Sequence, residues 1–481
     1  MRRPTAGRRF HLLATTLLGL APVPSFAGGS LLCGTAGDDL VAVRAGMARE
    51  WVVQLPFDSA GWQLENVTVG EQVVVACTSD GGVHAIQATR SPGQPRSGSL
   101  LWSNRVGRPG GLGQPAGVGS TLVTVARDLD VHAFDATSGV RRWICQLGHA
   151  SSEAAVQAGD NVYCPMSDDG LMRLPVDLRG IVPAVVAEGQ ELDTDTPIEQ
   201  PPVPYAPRKP ELVGAVWVND EGRLIAEVPT DRGGWENWSF DTRVPGEQAA
   251  VPAGPPAVRG DVVYVATTAG RLMAVRPSPS TQGDFEPAWL QPVFLPGIPE
   301  SGPFVAGDRV IVSLGDEGIV AYSARPDDVL ARGRDRARAD DAAEAAAEEP
   351  SAGSTAAGGE LLWRTPCGIG GRLVAVVGER VWFADRVNRL ASVDLATGEP
   401  RECMPLGGFT LPVINPRGDR LVLASPDGLL VSLVPRRTAS ALPAPAPGGV
   451  PTPPAATGEA GAAAGAADEP PADPAEDASR T

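Results

Sequence analysis

One unit recurs along this chain: an apolar-alternating strand, a tight Asp/Gly turn, a second alternating strand, an Asp-x-x-Thr-Gly-type turn, then a strand carrying tryptophan. The clearest copy runs Arg380-Val381-Trp382-Phe383-Ala384, then Arg389-Leu390-Ala391-Ser392-Val393-Asp394-Leu395-Ala396-Thr397-Gly398. A second runs Thr121 to Ala126, then Val131-His132-Ala133-Phe134-Asp135-Ala136-Thr137-Ser138-Gly139, and closes on Trp143. Weaker copies start near Val73, Val162, Val216, Val262, Val310 and Leu421. The period, roughly 40–50 residues, is that of a four-stranded propeller blade.

The physics of the unit fixes how copies must assemble. Period-two alternation makes half-buried strands, and an Asp-Gly or Glu-Gly pair supplies the positive φ that a two-residue hairpin needs. One such sheet has two apolar faces and is unstable alone in water. Stacked radially, neighbouring sheets bury those faces and leave only short edges. A further short strand recurs before a Gly-Asp turn, at Pro256 to Asp261, Pro303 to Asp308 and Pro412-Val413-Ile414, and supplies the innermost strand. The expected fold is therefore all-β, a β-propeller of four-stranded antiparallel blades, with a β-sandwich array as the alternative. Counting from Glu50-Trp51-Val52-Val53-Gln54-Leu55 to the run Leu429 to Val434 predicts eight blades, the N-terminal strand completing the last one. Leu31 to Val43 is then left over as an extra hairpin, so seven or nine blades stay open.

The ends of the chain read differently. Arg2, Arg3, Arg8 and Arg9 precede the apolar stretch Leu12 to Leu20, and Ser25-Phe26-Ala27 offers a cleavage site, so residues 1–27 read as a secretory signal. An uncleaved anchor is the alternative. No later segment has the roughly twenty apolar residues of a membrane helix. The propeller is expected over 28–437, with 189–210 and 325–359 as loop or disordered insertions. Residues 438–481, rich in Ala, Pro and acidic side chains, read as a disordered tail. Export implies a periplasmic or extracellular location and permits disulfides among Cys33, Cys77, Cys145, Cys164, Cys367 and Cys403. Their wide spacing argues against a compact disulfide scaffold. The formal net charge of −17, with Lys209 the sole lysine, argues against nucleic acid as a partner.

The turns at Asp135 to Gly139 and Asp394 to Gly398, with Trp102, Trp143, Trp289 and Trp363 in the later place, resemble the pyrroloquinoline-quinone (PQQ)-like β-propeller repeat family. The resemblance spans most of Leu31 to Val434. It implies either a quinoprotein dehydrogenase or a non-enzymatic, BamB-like exported protein. The dehydrogenase branch carries a vicinal Cys-Cys pair and a calcium set, or a CxxCH haem site; the sequence contains no Cys-Cys and no CxxCH. No catalytic, cofactor or metal residues are assigned on this reading.

The remaining candidates are weighed against structural roles. His84 and His132 sit at the same repeat position, in Val-His-Ala triplets, which favours a shared structural slot over ligation; His149 stands alone near a turn. Asp168-Asp169-Gly170 and Asp316-Glu317-Gly318 lack the further oxygen ligands calcium needs and read as hairpin turns. Trp235 and Trp238 flank Glu236 and Asn237 as the densest aromatic cluster, a possible binding surface for a sugar or peptide, set against packing on an outer strand. The expectation is a monomeric, non-catalytic scaffold that binds a protein partner in the cell envelope, without cofactor. The alternatives are a PQQ/Ca-dependent dehydrogenase-like enzyme and a glycan-binding propeller.

Overall fold

The computed structural model describes residues 39–436 except 90–94, 169, 184–189, 194–195, 244–250, 280, 282, 327–357, 367, 412 and 416–417. The chain divides into two units at Arg436/Arg437, and every described residue lies in the first. That unit is a ring of eight sheets. Blade 1 comprises Leu64–Val69, Val73–Thr78, Gly82–Gln87 and Leu100–Arg105, from the inside outward. Blades 2 to 7 repeat this order, with second strands at Leu122–Arg127, Asn161–Pro165, Gly214–Val218, Val262–Thr267, Arg309–Ser313 and Arg380–Ala384. Blade 8 is assembled from both ends of the propeller: Leu421–Ala424, Leu429–Pro435 and, outermost, the N-terminal strand Met47–Gln54. No described helix is long and apolar enough to cross a membrane.

Burial follows from radial stacking. In blade 1 the two middle strands, Val73–Thr78 and Gly82–Gln87, are buried at every position, while Leu100–Arg105 is mostly open to solvent. Middle strands have a sheet against both faces, so both sides of the alternation must tolerate a dry environment. The hydrophobic core accordingly falls into eight clusters, one at each seam between blades.

An indole closes five of the eight seams. Trp102 on the outer strand of blade 1 donates its Nε1–H to the Ala136 carbonyl of blade 2 at 3.1 Å. Trp143, Trp289 and Trp363 reach Val176, Arg325 and Leu395 in the same way at 3.0, 3.0 and 2.9 Å, and Trp51 reaches Ala88 at 3.3 Å. Each latch buries a large ring worth roughly 3 kcal/mol of transfer free energy and adds a bond worth about 1 kcal/mol net. The small partner residue is set by register: Trp102, Trp143 and Trp363 lie opposite Ala85, Ala133 and Ala321 on the third strand. The turn glycine is set by contact. Gly139 and Gly398, at φ +70 and +73, lie face-on against Trp102 and Trp363, and a Cβ there would fall 2.4 and 2.5 Å from an indole carbon. Only glycine meets both demands.

Several sequence expectations are corrected. Asp39–Arg44 is a short helix rather than part of an extra hairpin; residues 31–38 of that expected hairpin lie outside the described residues. Its Ala42, with Ala45 and Met47, fills the seam between blades 7 and 8; the outer strand of blade 7 has Glu402 after Arg401 where blade 2 has Trp143 after Arg142, and its Cys403, opposite Ala391, packs toward blade 6. The stretch 189–210, expected as a loop, supplies the outer strand Gln190–Asp193 of blade 3 and the inner strand Val203–Tyr205 of blade 4. Just before it, Gly180–Pro183 adds to blade 2 as a fifth strand, parallel to Arg141–Gln146. Of the innermost strand expected at Pro412-Val413-Ile414, Pro412 lies outside the described residues; the flanking described residues make isolated bridges, Leu411 to Ala424 and Asn415 to Ala375, and Val413 is buried against blade 8. Most of the 325–359 insertion, the signal-like segment 1–27 and the tail 438–481 lie outside the described residues.

Candidate functional site

Trp235 and Trp238 do not form one surface. They share the outer strand Trp235–Asp241 of blade 4 and are three residues apart, so a period-two strand points them to opposite faces. Trp238 is only 1% exposed, packed edge-on against Tyr205 and beside Phe285 at the seam with blade 5. It occupies the indole slot opposite Ala226 and is core. Trp235 is half-buried toward blade 3, its ring 3.6 Å from the Arg173 guanidinium carbon. Arg173 in turn pairs with the buried Glu227 at 2.5 Å. Burial raises the Glu227 pKa, and the Arg173 charge opposes that rise. The aromatic cluster thus belongs to two inter-blade contacts.

The histidines are also explained by packing. His84 Nδ1 lies 2.9 Å from Ser103 Oγ on the next strand, and burial lowers its pKa. His132 stacks on Phe134, and burial, helped by the Arg141 charge, pulls its pKa down to about 4. His149 is exposed and pairs with Asp168 at 2.9 Å. Asp316 binds Arg386 of blade 7. Among the described residues no three His, Cys, Asp or Glu side chains group so as to hold a metal ion. Cys77, Cys145, Cys164 and Cys403 are free thiols, the first three buried; Cys33 and Cys367 lie outside the described residues.

Two features of one face go beyond packing. The hairpin turns between second and third strands, and the connections from each blade to the next, emerge on the same side of the ring. This loop face carries Leu112, Phe294, Val387 and Ile298, which are 84%, 73%, 69% and 65% exposed. They are four of the five most exposed large apolar side chains among the described residues. On the same face a cavity of about 260 Å³ opens at the seam between blades 7 and 8. Its walls are apolar, with Val374, Leu390, Phe409, Leu411, Val413 and Leu423, and its mouth carries Arg372, Arg386, Asn388, Glu300 and Asp385.

An eight-bladed propeller with indole-latched seams defines a repeat scaffold whose variable surface is its loops. A family model described as outer membrane protein assembly factor BamB matches residues 93–281 and 220–330. The chain belongs to the PQQ-like β-propeller repeat family. BamB from Moraxella catarrhalis is similar in structure at a TM-score of 0.54 and 15% identity, over 81% of this chain and 99% of that one. At that identity the likeness is one of fold. Apo AztD from Citrobacter koseri aligns at a TM-score of 0.46 and 10% identity, over 78% of this chain and 90% of that one. No curated protein matches the sequence.

Proposed function

We propose that this protein is an exported, non-catalytic scaffold that binds a protein partner in the cell envelope through its loop face. The observation that carries the reading is the concentration of strongly exposed apolar side chains on that face. Leu112, Val387 and the pair Phe294 and Ile298 project from three different turns or connections, and covering them is favourable for any partner that can span the rim. The signal-like residues 1–27 support export. The description of the matching family model as an outer membrane protein assembly factor supports an envelope role.

The test is site-specific photo-crosslinking in cells of the source organism. A photoreactive residue at Phe294 or Leu112 is expected to give one discrete adduct, and the same residue at Leu361, at the start of an outer strand on the opposite side, none. Equal labelling at all three positions would overturn the loop-face reading. Recovery of the chain in the cytoplasmic fraction with residues 1–27 intact would overturn export.

A further inference from the structure

We infer that the cavity between blades 7 and 8 is the anchor pocket of the loop face, taking one large apolar side chain from an acidic segment of the partner. The inference rests on the scaffold reading and names the chemistry of what that scaffold holds. Size is the first argument. A volume of about 260 Å³ lies below the roughly 300–1,000 Å³ of small-molecule sites and suits one aromatic or leucine side chain with its adjoining backbone. Interfaces concentrate their affinity in such pockets, where a desolvated anchor is ringed by polar contacts.

Charge is the second argument. Three of the four ionic groups that line the cavity, Arg386, Glu300 and Asp385, are already committed. Arg386 bridges to Glu300 at 3.1 Å and to Asp316, both of blade 6, and Asp385 is held by Arg389 at 2.6 Å. Arg372, exposed at the start of the inner strand Arg372–Val377, has no ion-pair or hydrogen-bond partner among the described residues. A free guanidinium beside an apolar funnel complements a carboxylate that flanks an apolar anchor, and repels a lysine in that place.

The experiment uses the mature chain and three fluorescein-labelled peptides, Glu-Phe-Asp, Glu-Ala-Asp and Lys-Phe-Lys, each capped at its C-terminus, with binding read by polarisation. Glu-Phe-Asp is expected to bind at least about tenfold more tightly than Glu-Ala-Asp and about three- to tenfold more tightly than Lys-Phe-Lys. Arg372→Glu should reverse the preference between the two charged peptides. Thr410→Trp, at an exposed lining position, should abolish binding by occluding the mouth. Both variants alter exposed side chains, and an unchanged melting curve confirms that they fold. Absence of binding by any peptide, equal binding of all three, or indifference to both substitutions would overturn the anchor. A crosslinked partner found at Phe294 alongside any of those results would leave the scaffold reading standing and remove only the pocket.

Discussion

Gly139 offers a clean test of the latch that closes the seams. Adding one methyl there incurs two separable costs. The first is conformational: φ is +70, where an L-residue is about 1–2 kcal/mol less favourable than glycine, offset in part by about 0.4–1 kcal/mol from the stiffer unfolded chain. The second is steric. The new Cβ would sit 2.4 Å from Trp102 Cγ and 2.6 Å from Cδ2, about an ångström inside ordinary contact, so the indole must move. That displacement carries about 1–3 kcal/mol of overpacking, and loss of the Trp102 bond to Ala136 adds about 1 kcal/mol. Gly378 is the matched control: its φ is +62 and no atom lies within 4 Å of its virtual Cβ. Urea unfolding should therefore place Gly378→Ala about 1 kcal/mol below the parent, and Gly139→Ala about 3–5 kcal/mol below it, with unchanged m-values. In a double-mutant cycle, Trp102→Ala should absorb most of the extra cost, with a coupling of about 2 kcal/mol. Equal midpoints for the two alanine variants would refute the claim that the turn glycine serves the neighbouring indole.

Three other outcomes follow from the geometry. Glu227→Leu leaves Arg173 buried beside Trp235 without its carboxylate and should cost about 3–5 kcal/mol, whereas Arg173→Met with Glu227→Leu should come close to the parent in a thermal melt; a double variant as weak as the single one would sink this. His132 is harder to protonate in the folded chain than in the unfolded one, so its contribution is complete above pH 6.5 and falls as pH drops from there toward about 4. His132→Leu should flatten that part of the stability profile, measured as urea midpoint against pH. Removal of residues 28–54 takes away the outer strand of blade 8 and the Trp51 latch to Ala88, and should convert a cooperative melt into a broad one with exposed, dye-binding apolar surface.

The repeat was legible because its signals are local. Hairpin turns, alternation and the Asp-x-x-Thr-Gly glycine each state a backbone requirement within a few residues, and eight in phase specify a ring closed by the strand around Trp51. What stayed hidden depends on neighbours far away in sequence. The run Asp39–Arg44 has apolar residues that suit a strand or a helix, and the choice is made by the seam it fills. Gly180–Pro183 leaves blade 3 to pair in parallel with blade 2, a step no local pattern encodes. Trp235 and Trp238 looked like one cluster because they are close in sequence; the period-two rule, applied to that strand, already separates them. The loop-face cavity was not legible, because the space between two blades is a property of packing.

The three seams without an indole-to-carbonyl latch show what the latch has to accomplish. Between blades 3 and 4 the register place opposite Arg173 holds Gln190, and Arg173, Glu227 and Trp235 span the gap with an ion pair and a cation–π contact. Between blades 4 and 5 Trp238 keeps its slot but packs on Tyr205 and Phe285, and the bond to the next blade comes from Tyr205, whose hydroxyl donates to the Asp261 carbonyl at 2.7 Å. Between blades 7 and 8 the segment Asp39–Met47 fills the gap, tied by Arg380 to the Ala45 carbonyl at 2.7 Å. Each solution combines apolar or aromatic burial with a polar tie to the adjoining element. Burial alone is non-directional and would let blades slide; the polar tie fixes their register. The seam between blades 7 and 8 adjoins the blade that the N-terminal strand completes. The helix that fills this seam and the cavity on the loop face fall together there, so the place where repetition ends is also where this scaffold has a surface of its own.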